Sequence, residues 1–408
     1  MSGIPGASAR GISPRDCSDK EGKEMKQDIL KNQTINSTLT FFAPSFQMVD
    51  PEPDGGPFAF KLKETFRMME PCKNLGNGRV RLTYYNPDAK SVSVVGSDAR
   101  AFSGEHPMTK GEDGYWTVEV EVTSGIHVHR YLVDGALVLH DQMPLVYCAG
   151  EPANAFECVD EDCSWYLLQD VPHGDLRMEY YHSSHTGRWR VCWVYCPSGY
   201  DENREKKYPV LYLQHGAGED EVGWIDMGKM NYILDNQIAS GETEEMLVVM
   251  SYGFSLNEDE TPALRSPGFE EELLNDVIPM IEEKYRVKTD RESRAMAGLS
   301  MGSAQSQNIV LNHLDMFAYL GVIIGGIGTA PIGVQAEALK DPRALGEKLK
   351  VFYASNGDHE AGCMVSHEAM EKLVAEGLTC GRHDIFGGYH DLDVCRKSLR
   401  AFLPLLFK

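Results

Sequence analysis

The turn Gly298-x-Ser300-x-Gly302 constrains the fold of this chain more than any other stretch of its sequence. It follows the short apolar run 293–298 and precedes residues 304–313, whose composition is typical of a helix. Glycines at the flanking positions allow a tight turn in which larger side chains would clash. A serine in such a turn, between a strand and a helix, is the pattern of a nucleophile elbow. We predict that Ser300 is a nucleophile. The alternative is an ordinary serine in a glycine-rich turn.

The backbone next to Ser300 also predicts part of an oxyanion-binding site. Ser300 Oγ would stand at the carboxyl end of a strand, and Met301 would open the following helix. The N-terminus of a helix carries partial positive charge on its backbone N–H groups. We therefore expect the Met301 N–H to face the oxygen on which negative charge develops during attack on a carbonyl group.

Residues 166–408 alternate between continuous apolar runs and amphipathic helical segments. Runs such as 208–214, 246–250 and 319–324 are typical of buried strands, and residues 270–284 carry an apolar stripe at helical spacing. This alternation indicates a mostly parallel sheet that is covered by helices on both faces. With the serine turn at its centre, the pattern predicts an α/β-hydrolase fold.

The preceding residues, 46–165, predict an all-β domain. Between about 75 and 145, apolar and polar residues alternate in short runs, and turns rich in glycine, aspartate and proline separate the runs. Period-two runs at this spacing indicate an immunoglobulin-like β-sandwich. Residues 1–45 are polar and rich in Ser, Asn, Lys and Asp, so we expect a mobile N-terminal arm there.

The strand-like runs of 46–165 resemble the early-set immunoglobulin-like domains that precede the catalytic domain in glycogen-branching enzymes and many esterases. The matching stretches are 86–96, 113–117 and 131–135. The resemblance implies either a carbohydrate-binding module or a module for packing and dimerisation. Trp116 alternates with polar neighbours, and we expect it in the core rather than on a sugar-binding surface.

Charge and hydropathy disfavour several classes of partner. The net charge is −22 over 408 residues, which argues against nucleic acid and anionic membrane surfaces. No stretch reaches the roughly 18 apolar residues of a membrane-spanning helix, and the N-terminus lacks a signal-peptide pattern. We expect a cytoplasmic protein with no membrane or nucleic-acid partner, whose ten cysteines are reduced thiols.

A serine hydrolase of the expected fold needs an acid and then a histidine, in that chain order after the serine. The histidine takes the serine proton and then gives it to the leaving group. Four histidines follow the last long strand-like runs: His359, His367, His383 and His390. Only His390 lies in a glycine-rich loop between the last strand and the last helix. We therefore predict His390 as the general base, with a structural histidine as the alternative.

Two carboxylates compete for the role of the acid. Asp358 and Glu360 both follow the strand-like run 351–354. The stretch from Asn356 to Asp358 has turn chemistry, and an aspartate in such a turn often bonds its own backbone. We predict Glu360 as the acid that orients His390, with Asp358 as the alternative.

A second oxyanion donor is expected in the turn that follows Gln214. This turn, residues 215–218, contains two glycines, and its backbone amides can approach an oxyanion closely. We choose the N–H of Ala217 as this donor. Trp224 follows the turn, and we expect it to line the acyl or sugar pocket, with a structural tryptophan as an equal alternative.

The second domain resembles the α/β-hydrolase family of feruloyl esterases, acetyl xylan esterases and mycolyltransferases, which is also related to esterase D. The resemblance covers about 240 residues, and it is carried by 194–200, 208–218, Trp224, 231–236, 298–302, Gln305 and 387–391. Three positions depart from the family pattern. Ser303 replaces a usual glycine, Tyr389 separates the glycines from His390, and Glu360 stands where aspartate is more common.

The resemblance implies a substrate that is an ester of a phenolic acid, such as ferulate, with a sugar or polyol. It also implies that Gln305 binds substrate, in addition to Trp224. The sequence shows no metal-ligand cluster and no phosphate-binding loop, so we expect no metal and no cofactor. A homodimer is the assembly to test. The alternative functions are a siderophore esterase, an acetyl xylan esterase, and a catalytically silent carbohydrate-binding protein.

Overall fold

The structure, a computed structural model, describes residues 46–49, 59–62, 70–97, 102–159, 161–256, 262–263, 267–327 and 337–408. The expected mobile arm, residues 1–45, lies outside the described residues. A β-sandwich is followed by an α/β domain, as the sequence predicted. We propose a boundary between them near residue 165, because Tyr166 and Leu167 pack into the core of the α/β domain.

The sandwich consists of two antiparallel sheets that share one core. A separate hairpin of β1 (Phe46–Val49) and β2 (Ala59–Leu62) precedes it. The four-stranded sheet has the order β3-β4-β8-β7, with β3 (Cys72–Gly76), β4 (Arg79–Tyr85), β7 (Thr109–Lys110) and β8 (Tyr115–Glu121). The six-stranded sheet has the order β11-β12-β9-β5-β6, and β10 pairs with β9. Its strands are β5 (Val92–Ser97), β6 (Ser103–Pro107), β9 (Gly125–Val133), β10 (Ala136–Val138), β11 (Leu145–Cys148) and β12 (Glu151–Cys158).

Trp116 lies in the core of the sandwich. Only 6% of it is exposed, and its indole N–H donates to the Asn86 carbonyl oxygen at 2.8 Å. Val80, Leu82 and Tyr131 belong to the same buried cluster. A buried indole with a satisfied N–H cannot stack on a sugar from solvent. The expectation of a core residue is therefore confirmed.

The α/β domain is built on an eight-stranded sheet of order β13-β14-β16-β15-β19-β20-β21-β22. Every neighbouring pair from β16 to β22 is parallel, and only β13 and β14 are antiparallel. The strands are β13 (Asp175–His182), β14 (Trp189–Cys196), β15 (Val210–Gln214), β16 (Leu247–Ser251), β19 (Arg294–Leu299), β20 (Tyr319–Ile323), β21 (Val351–Gly357) and β22 (Gly381–Phe386). A short hairpin pairs β17 (Ser255–Leu256) with β18 (Pro262–Ala263).

Helices cover both faces of this sheet. They are α1 (Gly223–Asp226), α2 (Met230–Ser240), α3 (Pro267–Glu272), α4 (Ile278–Lys284), α5 (Met301–Asn312), α6 (Pro342–Lys348), α7 (Cys363–Ala375) and α8 (Leu392–Phe402). A π-helical turn, Leu273–Val277, joins α3 to α4 just before Pro279, which has no N–H to donate. Short 3₁₀ turns lie at Glu161–Tyr166, Arg291–Ser293 and Leu403–Leu405.

Alternate residues of the central strands supply two separate cores. Tyr212 of β15 packs with Leu273 and Ile309 on one face, whereas the next residue, Leu213, packs with Ile233 on the other. Both faces are apolar because parallel strands are buried on both sides. The predicted α/β-hydrolase architecture is confirmed. Among the helices of the described residues, none has the length and apolarity needed to cross a membrane.

Candidate active site

Ser300 occupies a strained turn between β19 and α5. Its φ of 52° and ψ of −110° lie outside the regions that non-glycine residues ordinarily adopt. Its N–H donates to the Ile323 carbonyl oxygen at 3.0 Å, which ties the turn to β20. A Cβ on Gly298 would lie 2.4 Å from Gly302, and one on Gly302 would lie 2.6 Å from the Gln214 carbonyl oxygen. Close packing therefore requires both glycines of the motif.

Ser300, His390 and Glu360 form one hydrogen-bonded line. Ser300 Oγ donates to His390 Nε2 at 2.9 Å, and His390 Nδ1 donates to Glu360 Oε2 at 3.1 Å. Because Nε2 accepts from Ser300 and Nδ1 donates to Glu360, the tautomer that fits these partners carries its proton on Nδ1. The three residues follow β19, β22 and β21, whose carboxyl ends meet at one edge of the parallel sheet. The structure thus brings the three residues together as the sequence predicted.

Glu360 is held from two further directions. Its Oε1 accepts a hydrogen bond from the Gly357 N–H at 2.7 Å, and its Oε2 accepts one from the Asn356 amide at 3.1 Å. His383 Nε2 donates in turn to Asn356 Oδ1 at 2.9 Å, which fixes the orientation of that amide. Only 9% of the Glu360 side chain is exposed, against 52% for His390. The sequence analysis did not identify Asn356 and His383 as residues that hold Glu360. The available signal was Asn356, a polar residue near the end of an otherwise apolar strand.

Asp358 lies outside the line of Ser300, His390 and Glu360. Its Oδ1 accepts hydrogen bonds from the Gly388 N–H at 2.9 Å and from His359 Nδ1 at 2.6 Å. The bond from Gly388 is the main cause that lowers the pKa of Asp358 below its ordinary value. Asp358 therefore anchors the glycine-rich loop that carries His390, and its hydrogen bond to backbone goes to that loop rather than to its own turn.

The two predicted oxyanion donors belong to different segments, the start of α5 and the turn that follows β15. Met301 is the first residue of α5, so its N–H has no partner within the helix. The N–H groups of Ser303 and Ala304 already donate to the Ser300 carbonyl oxygen, at 3.1 and 3.2 Å. Ala217 is an exposed residue in the turn that follows β15.

The turn containing Ala217 has the hydrogen bond and the φ of a type II turn. Glu219 N–H donates to the Gly216 carbonyl oxygen at 3.3 Å, and Gly218 has a φ of 80°, which favours glycine at this position. His215 Nδ1 donates to the same Gly216 oxygen at 2.8 Å, while its Nε2 accepts from the Gly253 N–H at 2.9 Å. His215 is neutral, because burial lowers its pKa to about 4.

Glu219 lies beneath the same turn with its carboxyl group buried. Its Oε2 accepts a hydrogen bond from the Gly216 N–H at 3.0 Å. Burial raises the pKa of Glu219 from 4.5 to about 7, although the Gly216 bond opposes the shift. The Gly216 N–H in this turn therefore donates to a carboxyl group whose pKa lies near neutral pH.

An aromatic loop after β16 borders the turn, and sequence reasoning missed it. Tyr252 stacks on His215 with ring centroids 5.5 Å apart, and Phe254 lies 6.0 Å from the same ring. Arg190 donates to the carbonyl oxygens of both Tyr252 and Phe254, at 2.7 and 2.8 Å, and pairs with the buried Glu272. The available signal was the position of these aromatic residues directly after a buried strand.

The two residues expected to bind substrate have other surroundings. Trp224 is only 1% exposed, and its indole N–H donates to the Gln214 carbonyl oxygen at 3.0 Å, so it is a core residue. Gln305 is 8% exposed, and its Nε2 donates to the Gly253 carbonyl oxygen at 2.8 Å. Trp224 therefore matches the structural alternative, whereas substrate binding by Gln305 stays a prediction.

Fold and site together define the second domain as an α/β-hydrolase domain with a serine, a histidine and a carboxylate in hydrogen-bond contact. Residues 183–352 match the Esterase family, described as "Putative esterase". Residues 69–136 match carbohydrate-binding module 48, the isoamylase N-terminal domain. The chain therefore carries an Esterase family domain, which is preceded by a CBM48-type domain. The resemblance inferred from the motifs is confirmed.

Two named relatives share sequence with this chain. The endo-1,4-beta-xylanase/feruloyl esterase of Xylanibacter ruminicola is 33% identical over 347 residues, which cover 81% of this chain and 45% of that protein. Endo-1,4-beta-xylanase Y of Acetivibrio thermocellus is 33% identical over 203 residues, which cover 44% of this chain and 18% of that protein. The chain spans less than half the length of these curated relatives.

Two solved structures show the same fold. A variant of the feruloyl esterase module from Clostridium thermocellum, complexed with sinapinate, has a TM-score of 0.50 and 24% identity, over 60% of this chain and 92% of that one. The enterobactin esterase of Shigella flexneri, in the presence of 2,3-dihydroxy-N-benzoyl-serine, has a TM-score of 0.58 and 13% identity, over 82% of this chain and 94% of that one.

Proposed function

We propose that this chain is a serine carboxylic ester hydrolase of feruloyl-esterase type. The observation that carries the proposal is the line from Ser300 Oγ through His390 to Glu360, with separations of 2.9 and 3.1 Å. The relative from Xylanibacter ruminicola supports the choice of substrate class, because its name includes feruloyl esterase. The substrate is a small-molecule ester of a phenolic acid with a sugar or polyol.

Acylation begins when Ser300 Oγ attacks the ester carbonyl carbon. His390 Nε2 takes the hydroxyl proton as the new C–O bond forms, and Glu360 stabilises the resulting imidazolium through Nδ1–H. The carbonyl π electrons move to oxygen, and the N–H groups of Met301 and Ala217 stabilise this oxyanion. When the tetrahedral intermediate collapses, the bond to the alcohol oxygen breaks, and His390 gives its proton to that leaving group.

Deacylation repeats these steps with water as the nucleophile. His390 takes a proton from water as its oxygen attacks the acyl carbon, and the bond to Ser300 Oγ then breaks. The proton returns to Ser300, and the carboxylic acid leaves. Tyr252 and Phe254 lie beside the turn that contains Ala217. Their aromatic rings are suited to pack against a phenolic acyl group.

The test combines substrate turnover with active-site labelling. We expect wild type to release ferulate from methyl ferulate, as detected by mass spectrometry, and to be labelled by a fluorophosphonate probe. Ser300→Ala should lose activity by more than about 10⁴-fold and should not be labelled. Ser306→Ala is the control in the same helix and should keep the labelling. Labelling that persists in Ser300→Ala would move the nucleophile to another serine.

A siderophore esterase is the second candidate. The fold of the enterobactin esterase spans 82% of this chain, whereas the feruloyl esterase module spans 60%, so only the former extends well into the sandwich. A matched assay with a catecholate trilactone and methyl ferulate separates the two functions. An acetylated xylan in the same panel tests the acetyl xylan esterase alternative. Sugar binding by a chain that hydrolyses none of these esters would favour the non-enzymatic alternative.

Location and assembly remain predictions from the sequence. We propose that the protein acts in the cytoplasm, and fractionation of cells that express it natively would test this. A homodimer is tested by light scattering of the purified chain. A mass equal to that of one 45.5 kDa chain would exclude the dimer.

A further inference from the structure

The β-sandwich directly contacts the turn of residues 215–218, which contains the proposed donor Ala217 and which we call the oxyanion turn. Strands β11 and β12 are joined by the two-residue turn Ala149–Gly150, whose φ values are 57° and 80°. Gly150 N–H donates to the Gly218 carbonyl oxygen at 2.9 Å. A Cβ placed on Gly218 would lie 2.8 Å from Ala149 Cα, so the two turns are packed against each other. We call the turn of Ala149 and Gly150 the sandwich tip.

The conformation of the sandwich tip is unusual for its sequence. Two-residue hairpin turns with positive φ at both positions strongly prefer Asn-Gly or Asp-Gly. Alanine at the first position is unfavourable, because its Cβ crowds the backbone in the left-handed region. The tip keeps this conformation in contact with Gly218, and strained backbone that persists in this way commonly serves a functional site.

The oxyanion turn has three anchors, and one of them comes from the sandwich. Within the esterase domain, Gly216 is held through its carbonyl oxygen by His215 and through its N–H by Glu219. Both of these anchors act on the residue before Ala217. The residue after it, Gly218, is held by Gly150. The peptide groups around Ala217 are therefore fixed from one side by the esterase domain and from the other by the sandwich.

The sandwich packs tightly enough against the esterase domain to support the oxyanion turn. Val146 and Ala153, which flank the tip, pack with Met227 of the esterase domain in one buried cluster. Glu157 forms an ion pair with Arg396 at 2.7 Å, and their side chains are 5% and 0% exposed. Arg396 Nε also donates to the Met227 carbonyl oxygen at 2.8 Å. Removing one partner of such a buried pair is strongly unfavourable, so the two domains hold one relative position.

We propose that the sandwich tip is a positioning element of the oxyanion site, in which Gly150 N–H holds Gly218 and thereby aims the Ala217 N–H at the developing oxyanion. This inference rests on the proposed esterase function. Oxyanion donors act mainly on the transition state, where the charge develops, and less on the bound ester. Disturbing the tip should therefore lower kcat and leave KM nearly unchanged.

The experiment removes the Gly150 N–H and compares it with a matched turn elsewhere in the sandwich. In Gly150→Pro the donor is lost and φ must change. The turn Asp134–Gly135 joins β9 to β10 with φ values of 49° and 86°, and a Cβ on Gly135 would meet no atom within 4 Å. Gly135→Pro therefore imposes the same change of backbone away from the esterase domain. Gly150→Asn keeps the N–H and tolerates positive φ, so it is the conservative variant.

Two measurements are made on each variant. One is kcat and KM with methyl ferulate, and the other is inhibition by an aryl boronic acid, whose tetrahedral adduct with serine places an oxygen in the oxyanion site. Gly150→Pro should lower kcat and weaken boronate inhibition by about tenfold each, less than the 10²–10³-fold loss typical of a deleted donor. Gly135→Pro and Gly150→Asn should stay within about twofold of wild type.

The proposal is overturned if Gly150→Pro matches Gly135→Pro in kcat and boronate inhibition, or if KM rises while kcat is unchanged. If Gly150→Pro does not fold, Gly150→Val and Gly135→Val replace the pair, because a β-branched residue disfavours positive φ while its Cβ enters open space. Failure of the esterase function itself would look different. Wild type would then lack Ser300-dependent turnover and would not bind the boronate.

Discussion

The candidate site has two halves that are supported in different ways. The side-chain half consists of the three hydrogen-bonded side chains, and the backbone half is the turn that contains Ala217. Ser300, His390 and Glu360 all follow parallel strands of one sheet, and their supports, Asn356 and His383, belong to the same domain. The turn around Ala217 follows a strand of that sheet too, but it is also contacted by a second domain through Gly150. Side chains at strand ends are positioned by the sheet, whereas a loop of backbone donors needs contacts from outside it.

The two halves also depend on different kinds of chemistry. On the side-chain half, hydrogen bonds between named functional groups set the geometry, so conservative substitutions should be costly. On the backbone half, every residue except proline presents the same N–H, and what matters is how the turn is held. We therefore expect large effects on activity from the first half and smaller effects, partly on stability, from the second.

The largest expected effect is at His390. His390→Ala removes the group that accepts the Ser300 proton at 2.9 Å and should lower kcat by about 10⁴-fold or more. His359→Ala is the control, because His359 is exposed and contacts Asp358 rather than Ser300. Steady-state kinetics with methyl ferulate measure both variants. More than about a tenth of wild-type kcat in His390→Ala would remove His390 from the proposed mechanism.

The next effect distinguishes two carboxylates that are two residues apart. Glu360→Gln keeps the shape of the side chain but cannot stabilise the imidazolium, so we expect kcat to fall by up to about 10⁴-fold. Asp358→Asn should cost far less, because its retained carbonyl oxygen can still accept the Gly388 N–H bond. The two kcat values should be measured side by side at one pH. If Asp358→Asn were the more damaging change, the acid would have to be reassigned to Asp358.

The third prediction concerns stability at the oxyanion turn. Because the folded-state pKa of Glu219 is raised from 4.5 to about 7, the folded chain retains a proton that the unfolded chain loses. Stability therefore falls as pH rises through this window, by on the order of 1–3 kcal/mol, and the loss is complete above about pH 7. Glu219→Gln removes the titration and retains an acceptor for the Gly216 N–H.

Thermal unfolding at several pH values tests this. Glu219→Gln should match wild type near pH 4.5 and be the more stable protein at about pH 8. Equal stabilities of the two proteins at every pH would contradict a raised pKa for Glu219. The exposed Glu202→Gln serves as a control for the general effect of removing one negative charge from a chain of net charge −22.

The smallest effect is expected at Ser303, which departs from the family pattern. Ser303 Oγ donates to the Ser300 carbonyl oxygen at 2.7 Å, and the residue is 2% exposed. Ser303→Ala removes one support of the strained turn, so we expect kcat to fall only a few-fold. A loss as large as that of His390→Ala would indicate that Ser303 takes part in the chemistry itself.

Much of the fold could be predicted because its signals are local. The apolar strands of the second domain and the alternating strands of the sandwich follow directly from periods of hydrophobicity. Gly241 ends α2 with a φ of 76°, as a glycine at a helix end commonly does. Cys192 and Cys196 lie in β14 as buried thiols, and burial raises the pKa of each to about 12.

By itself, the sequence determined the order and type of the elements, the strained turn at Ser300, and the loops that bring His390 and Glu360 to it. These follow from local spacing, because parallel strands deliver their carboxyl ends to one edge. Only the tertiary structure decided that Trp224 is buried and that Gly150 holds Gly218 from another domain. Both depend on which distant surfaces pack together, and a pattern read along one segment carries no information about the surface that will cover it.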